Sequence, residues 1–429
     1  MLKTKGRRAF SLLEELAFER LGGTDEEKRA AGILAETLRD MGLEPQMPEF
    51  DIWTYEPTRA TLEVIEPYQK QYPVEVYGLT GSTSPGGIEA DFLYAEDADE
   101  VSLSEAKGKV VLVNRGVTLK QYQRMAEAEV AGFVAWGGLI YRREDIPRWA
   151  ARPEYFKHGK IPGAIIFADE AAELVREETS KVRLTVLQDE REVASQNVIC
   201  EIRGCEKPEE VVVITAHYDS VPYSSGANDN AAGSVIIMEL ARHFATNPPR
   251  RTLRFIWCGA EEIGLRGSFA YVQEHEDDLG ECKFVLNVDV AGAILGKNRT
   301  IVTGPDALKH YVEVMSRSMG VAMSIKQDVY SSDSIPFAEK GIPSLNLIRM
   351  GAPIHNRYDR VEYLSPDRLE ELGDFALRFL DDLDRARIFP FKREIPKGVR
   401  EKLDKYLERM RGKGEDEGED EEKEEVQDE

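Results

Sequence analysis

The stretch VVVITAHYDSVPYSSGANDNAAG, residues 211–233, constrains the fold more than any other part of the chain. An apolar, β-branched run ends in His217-Tyr218-Asp219, and a Ser/Gly loop then leads to Asp229 at the start of a helix-forming segment. Near-continuous apolar character is the mark of a strand buried on both faces, as in α/β sheets. In open α/β sheets, ligands bind outside the carboxyl ends of the strands. The segment therefore places an imidazole and a carboxylate, both able to bind metal, where a ligand site forms.

The alternation continues beyond it. From Asn197 the spacing predicts strands at 211–218, 252–259, 283–290 and 343–348, with helices at roughly 230–245, 307–319 and 366–386. The expected fold class is α/β, with a mixed, mostly parallel sheet flanked by helices. Earlier, Thr24 and Glu27 have capping-box spacing, so Thr24 accepts from the amide of Glu27 and Glu27 reaches back. Ala30, Ile33, Leu34, Leu38 and Met41 share one face of the helix that follows, and Gly42 suits its end. Between Thr58 and Val186 the texture changes to short β-rich runs (ATLEVI, VVLVN, GFVAWG, AIIFA) separated by Gly/Pro turns. A charged helix is expected over residues 397–411.

Length and charge exclude some functions. With 429 residues the chain needs two domains or more. Its formal charge is −23, of which residues 415–429, with eleven acids and one lysine, supply −10. Such a tail is expected to be solvated and disordered. An acidic chain without a basic stripe argues against nucleic-acid binding. The most apolar window, residues 130–140, contains two adjacent glycines and is too short to span a bilayer. The amino-terminal segment lacks the apolar core of a signal peptide. No membrane association and a cytoplasmic location are expected. Cys200, Cys205, Cys258 and Cys282 form no C-x-x-C pair and are expected to be reduced thiols.

Polar residues recur at the predicted strand ends. His217 and Asp219 follow the first strand, Glu261 and Glu262 follow FIWCGA, Asp289 follows FVLNV, and His355 lies after PSLNLI. Gathering so many carboxylates is costly unless cations neutralise them. Two divalent ions bring four positive charges against three negative from Asp229, Asp289 and Glu262, and a hydroxide completes the balance. Imidazole and carboxylate ligands suit Zn2+, with Co2+ or Mn2+ as substitutes. Glu261, beside a ligand, is placed to act as a general base. His158, His243, His275 and His310 lack matched carboxylates and are expected to be ordinary packing or surface residues.

The order H-Y-D, G-A-N-D-N-A-A-G, A-E-E-x-G-L-x-G-S, N-x-D and a late His resembles the two-zinc aminopeptidases among the co-catalytic zinc exopeptidases, over residues 197–384. The resemblance implies that His217 and Asp289 hold one zinc, that Glu262 and His355 hold the other, and that Asp229 bridges them. It implies Glu261 as general base, Asp219 as the residue orienting His217, and a cis peptide between Asp229 and Asn230. Asp359 is read either as a support of the ligands or as a turn cap. In Ser331-Ser332-Asp333-Ser334-Ile335-Pro336-Phe337, Ser334 stands where many relatives have His, and Tyr330 upstream is a candidate for the substrate oxyanion. The stretch GKVVLVNRGVTLKQYQRMAEAEVAGFVAWGG followed by IPGAIIFADEAAELV resembles a protease-associated domain.

The expected organisation is then 1–58, the N-terminal helical part of the catalytic domain; 59–187, the protease-associated-like insertion; 188–390, the catalytic zinc peptidase domain; and 391–429, the charged helix and acidic tail. Peptides are the implied substrates. Neighbouring activities stay open: a carboxypeptidase, for which Arg349 and Arg357 could serve as a carboxylate clamp, a dipeptidase, or an N-acyl amidohydrolase. A glutaminyl-cyclase-like site would use one metal, and a non-catalytic binding protein would need no base. Neither requires the complete set of residues found here.

Overall fold

The computed structural model describes residues 3–138 and 146–411. The chain divides into two units. One is Met1–Ile52 with Val193–Asp404; the other is Trp53–Glu192, grouped with the chain from Lys405 onward. The acidic stretch 415–429 lies outside the described residues.

In the first unit a seven-stranded sheet runs in the order Met323–Gln327, Lys297–Thr303, Ser344–Met350, Cys282–Val288, Lys207–His217, Arg251–Cys258, Val198–Ile202. The four inner strands from Ser344–Met350 to Arg251–Cys258 are mutually parallel. Val198–Ile202 and Lys297–Thr303 pair antiparallel to their inner neighbours. The sheet is thus mixed and mostly parallel, as the apolar runs predict. Residues 211–217 are buried without a break, because helices cover both faces of this central strand.

Gly6–Leu16, Ala232–Thr246 and Pro366–Arg385 pack against one another, and they share one core with the sheet residues Ile214, Trp257, Phe284, Leu286 and Leu347. Ala232–Thr246 buries nearly its whole length, which matches its all-round apolar sequence. Asp25–Arg39 is capped by Thr24, which accepts from the amide of Glu27 as expected. It stops at Arg39, so Met41 lies beyond its end, partly buried against the core.

Parallel pairing sends the carboxyl ends of four strands to one edge. That edge carries His217, Asp289 and the turns leading to Glu261, Glu262 and His355.

The second unit is built on an eight-stranded sheet. Ile88–Tyr94, Val110–Val113, Gly132–Gly137 and Gly163–Phe167 lie parallel in its centre. Alternate residues face two separate cores: Val110, Leu112, Val134 and Ile166 line one, and Val111, Val113, Phe133 and Ile165 the other. The β-rich texture read from the sequence thus includes two helices as well, Leu119–Glu127 and Ala168–Arg176.

Phe284 is fully buried, with its ring 5.5 Å from Phe379 and 6.4 Å from Phe391. Phe284→Ala should cost about 3–5 kcal/mol. The expected signature is a lower urea midpoint for the first unit with an unchanged slope.

Candidate functional site

His217 is the last residue of its strand and is 1% exposed. Its Nε2 lies 3.0 Å from Asp229 Oδ1 and 3.2 Å from Asp289 Oδ1. The other oxygen of Asp229 faces the second histidine, with His355 Nε2 3.0 Å from Asp229 Oδ2 and 3.4 Å from Glu262 Oε2. Asp229 therefore has one oxygen for each histidine. One ligand atom each from His217, Asp229 and Glu262 lies within 4.8 Å of the others, and the same holds for His217, Glu261 and Asp289. The His355 side chain is 57% exposed, so the cluster opens to solvent on that side.

Backbone geometry aims these groups. The Asp229–Asn230 peptide is cis, as the resemblance implies. Asn230 ties this turn to the end of the Asp289 strand: its Nδ2 donates to the Val288 carbonyl, and its Oδ1 accepts from the amides of Gly233 and Val290. Ala260, Val290 and His355 all have positive φ, which is costly for side chains with a Cβ, at about 1–3 kcal/mol each. Ala260 adjoins Glu261, Val290 adjoins Asp289, and His355 itself faces Asp229 and Glu262.

Two carboxylates accept amides rather than facing the cluster. Asp219 is fully buried, with Oδ1 3.4 Å from His217 Nδ1. Its two oxygens also accept from the amides of Glu261 (3.0 Å) and Glu262 (3.1 Å). It so fixes the backbone of the glutamate pair and lies beside the imidazole. Asp359 accepts from the amides of Asn228 (2.7 Å) and Asp229 (3.1 Å), which makes it a support of the Asp229 backbone.

The electrostatics call for a cation. Burial alone would lower the pKa of His217, yet Glu261, Asp289, Asp219 and Asp229 raise it well above its usual value. Burial lifts Glu261 well above the usual carboxylate range; His217 opposes this, and Glu262, Asp289 and Asp333 add to it. Glu262 Oε1 is buried with no hydrogen-bond partner among the described residues. Excess acceptors, an orphaned carboxylate oxygen and two imidazoles facing only carboxylates fit a divalent metal.

Sequence reading overlooked two residues. Arg20, fully buried, donates to the carbonyls of Tyr218, Ser225 and Gly226 in the loop between His217 and Asp229. Glu27, read as a local cap, sends its return bond to Gly23 rather than Thr24, and its other oxygen accepts from the amide of Ala260. The capping pattern gave Glu27 a local partner; nothing in the sequence marks its distant one.

The remaining histidines lie elsewhere; His275, for example, stacks on Tyr271 at 4.3 Å. Arg349 donates to the carbonyls of Ala293 and Ile294 and to Asn298 Oδ1. No helix among the described residues is long and apolar enough to cross a membrane.

Residues 197–380 match the model of peptidase family M28. The chain is 31% identical over 407 residues to aminopeptidase YwaD of Bacillus subtilis, across 87% of this chain and 84% of that protein. It is 28% identical to human carboxypeptidase Q, across 71% of this chain and 68% of that protein. Among solved structures, BSAP, a zinc aminopeptidase from Bacillus subtilis, aligns with TM-score 0.75 and 26% identity, covering 92% of this chain and 100% of that one. An aminopeptidase from Aneurinibacillus sp. strain AM-1 shares the fold, with TM-score 0.76 and 20% identity over 91% of this chain and 96% of that one.

A ligand that binds only the folded state stabilises it, by about 2.7 kcal/mol at a hundredfold excess over Kd. Adding Zn2+, Co2+ or Mn2+ to chelator-treated protein should raise Tm by several degrees. Identical melting curves with and without the ions would remove the metal reading.

Proposed function

The chain belongs to peptidase family M28, and from that premise we propose that it is a two-zinc aminopeptidase, removing residues from the free amino end of peptides. The observation that carries this reading is the stance of Asp229, with Oδ1 3.0 Å from His217 and Oδ2 3.0 Å from His355. His217 and Asp289 would hold one ion, Glu262 and His355 the other, with Asp229 shared between them. Bound there, the ions would acidify a water and polarise the scissile carbonyl.

The protein's own groups do the rest. Glu261 takes the proton of the attacking water and returns it to the leaving amine. Burial first of all raises its affinity for protons, which favours a carboxylate that has to accept one. Asp219 holds the Glu261 backbone through one amide hydrogen bond, so the base does not drift from the water. Tyr330 is assigned to the substrate oxyanion. It packs against the cluster of Val290, Ile301 and Ile348, and Val290 directly follows Asp289, which supports this role.

The likeness to carboxypeptidase Q raises a second reading, cleavage at the carboxyl end. That needs a cation free to clamp the terminal carboxylate. Arg349 is spent on the 293–298 segment, and the aminopeptidase likeness extends over more of the chain. We read the inserted unit as a protease-associated domain on its sequence likeness. Four free thiols, three of them buried, fit a reducing compartment, and the cytoplasm is the proposed location.

Glu261→Gln should retain its metals and lower kcat on the order of 10²–10⁴-fold. His355→Ala should instead lose one ion selectively, read by elemental analysis. Peptides with a free amine, an acetylated amine and an amidated carboxyl end test the polarity. Cleavage of the acetylated peptide alone would exclude the aminopeptidase reading.

A further inference from the structure

Two of the backbone segments that carry the proposed site residues are each held by a charged residue of the amino-terminal region. Arg20 is wholly buried, and its guanidinium donates only to backbone carbonyls. Leu16 and Phe18 are on its own segment; Tyr218, Ser225 and Gly226 are on the loop joining His217 to Asp229. Its main chain joins in, because the Arg20 amide donates to Ser220 Oγ and the Ser220 amide to the Arg20 carbonyl. The loop is shaped to receive it. Gly226 has φ of 53°, and a Cβ there would lie 2.9 Å from Arg20 Nη2 and 2.6 Å from Ser220 Cβ.

Glu27 does the same for the second segment. Its Oε2 accepts from the Gly23 amide at 2.7 Å; its Oε1 accepts from Ser195 Oγ at 2.8 Å and from the Ala260 amide at 3.1 Å. Asp219 takes the next two amides, of Glu261 and Glu262. Three successive amides of this turn thus end on carboxylates. Glu27 anchors the first of them, at the positive-φ residue just before the base. Gly259 leaves the room, since a Cβ there would sit 2.8 Å from Glu27 Oε1.

We infer that Arg20 and Glu27 are positioning residues of the metal site: Arg20 fixes the His217–Asp229 loop for metal binding, and Glu27 fixes the turn that aims Glu261. The chemistry singles out these residue types. A planar guanidinium offers five N–H donors in a rigid fork, which can satisfy carbonyls on several sides at once. A lysine keeps the charge but offers three donors at one point, and leaves buried carbonyls unpaired. Groups that hold ligands in place typically change metal affinity or activity 10–100-fold when altered.

The inference rests on the metal-dependent reading above, and the experiment separates the two. Full-length wild type, Arg20→Lys, Glu27→Gln and Arg251→Lys are stripped of metal and titrated with Co2+, followed by visible absorption. Melting temperature in chelator, and kcat and KM on an aminoacyl p-nitroanilide, are measured in parallel. Arg251 is the control. It is equally buried and donates to Glu210 and to the carbonyls of Leu383 and Asp384, but it begins the strand Arg251–Cys258, whose other end leads to Glu261.

Arg20→Lys should weaken Co2+ binding by roughly 10–100-fold. Glu27→Gln should bind Co2+ normally and lower kcat on the order of 10-fold at unchanged KM. Arg251→Lys should lower the melting temperature alone. If Arg20→Lys and Glu27→Gln behave like Arg251→Lys, the two residues are structural and the inference fails. Should Arg20→Lys not fold, the Glu27→Gln kcat decides by itself. A wild type that takes up no Co2+ overturns the metal reading instead.

Discussion

Repulsion among carboxylates at one sheet edge is the constraint around which the rest is arranged. Asp219, Asp229, Glu261, Glu262, Asp289, Asp333 and Asp359 are neighbours or near neighbours there, and most are buried. Burial disfavours carboxylate charge in general, and carboxylates held close together repel one another. Among the described residues, the fixed positive charge brought inside against them is Arg20. Its pKa falls to about 10, chiefly through burial, while Asp219, Asp359, Asp229 and Glu262 hold it up. One guanidinium and two imidazoles do not balance seven carboxyls. A site of this composition is consistent with a protein that folds around cations.

Amide hydrogen bonds sort the carboxylates by job. Asp219 and Asp359 each accept two main-chain amides, and Glu27 accepts two more. A carboxylate saturated in this way is a fixture. The groups left facing the histidines, Asp229, Asp289 and Glu262, keep oxygens to spare. Two otherwise similar aspartates, Asp219 and Asp229, are thereby given different roles ten residues apart in one loop.

Sequence alone exposed one class of feature and concealed another. The inner strands were legible because burial on both faces demands unbroken apolar residues, as in Val211–Ala216. The outer strands Lys297–Thr303 and Met323–Gln327 were not predicted; polar residues that are partly buried (Arg299, Gln327) or exposed (Lys326) interrupt any apolar run. The proposed ligands were legible because metal chemistry restricts the residue type at each strand end. Arg20, Glu27 and Asp359 act through main-chain amides and carbonyls distant in sequence, and backbone groups leave no residue signature. Asp359 could be named only as one of two alternatives, and Arg20 not at all.

Ser334 shows how a local departure is absorbed by the sheet. Thr215, Asn287 and Asn346 stand side by side in the registers of three adjacent parallel strands. Thr215 Oγ1 donates to Asn287 Oδ1 at 2.8 Å, and Asn287 Nδ2 to Asn346 Oδ1 at 3.1 Å. Ser332 and Ser334 complete the row, Ser332 accepting from Asn287 Nδ2 and Ser334 donating to Asn346 Oδ1, each at 2.8 Å. Thr215 and Asn287 each lie two residues before a proposed ligand, His217 and Asp289, and so share its face of the sheet. Side chains buried this deeply need every hydrogen bond satisfied. A serine at 334 meets that demand with one hydroxyl, turned into the sheet. The segment from Tyr330 to Phe337 is thereby pinned to the same three strands that position the metal site, which ties the proposed oxyanion residue and the ligands to one rigid frame.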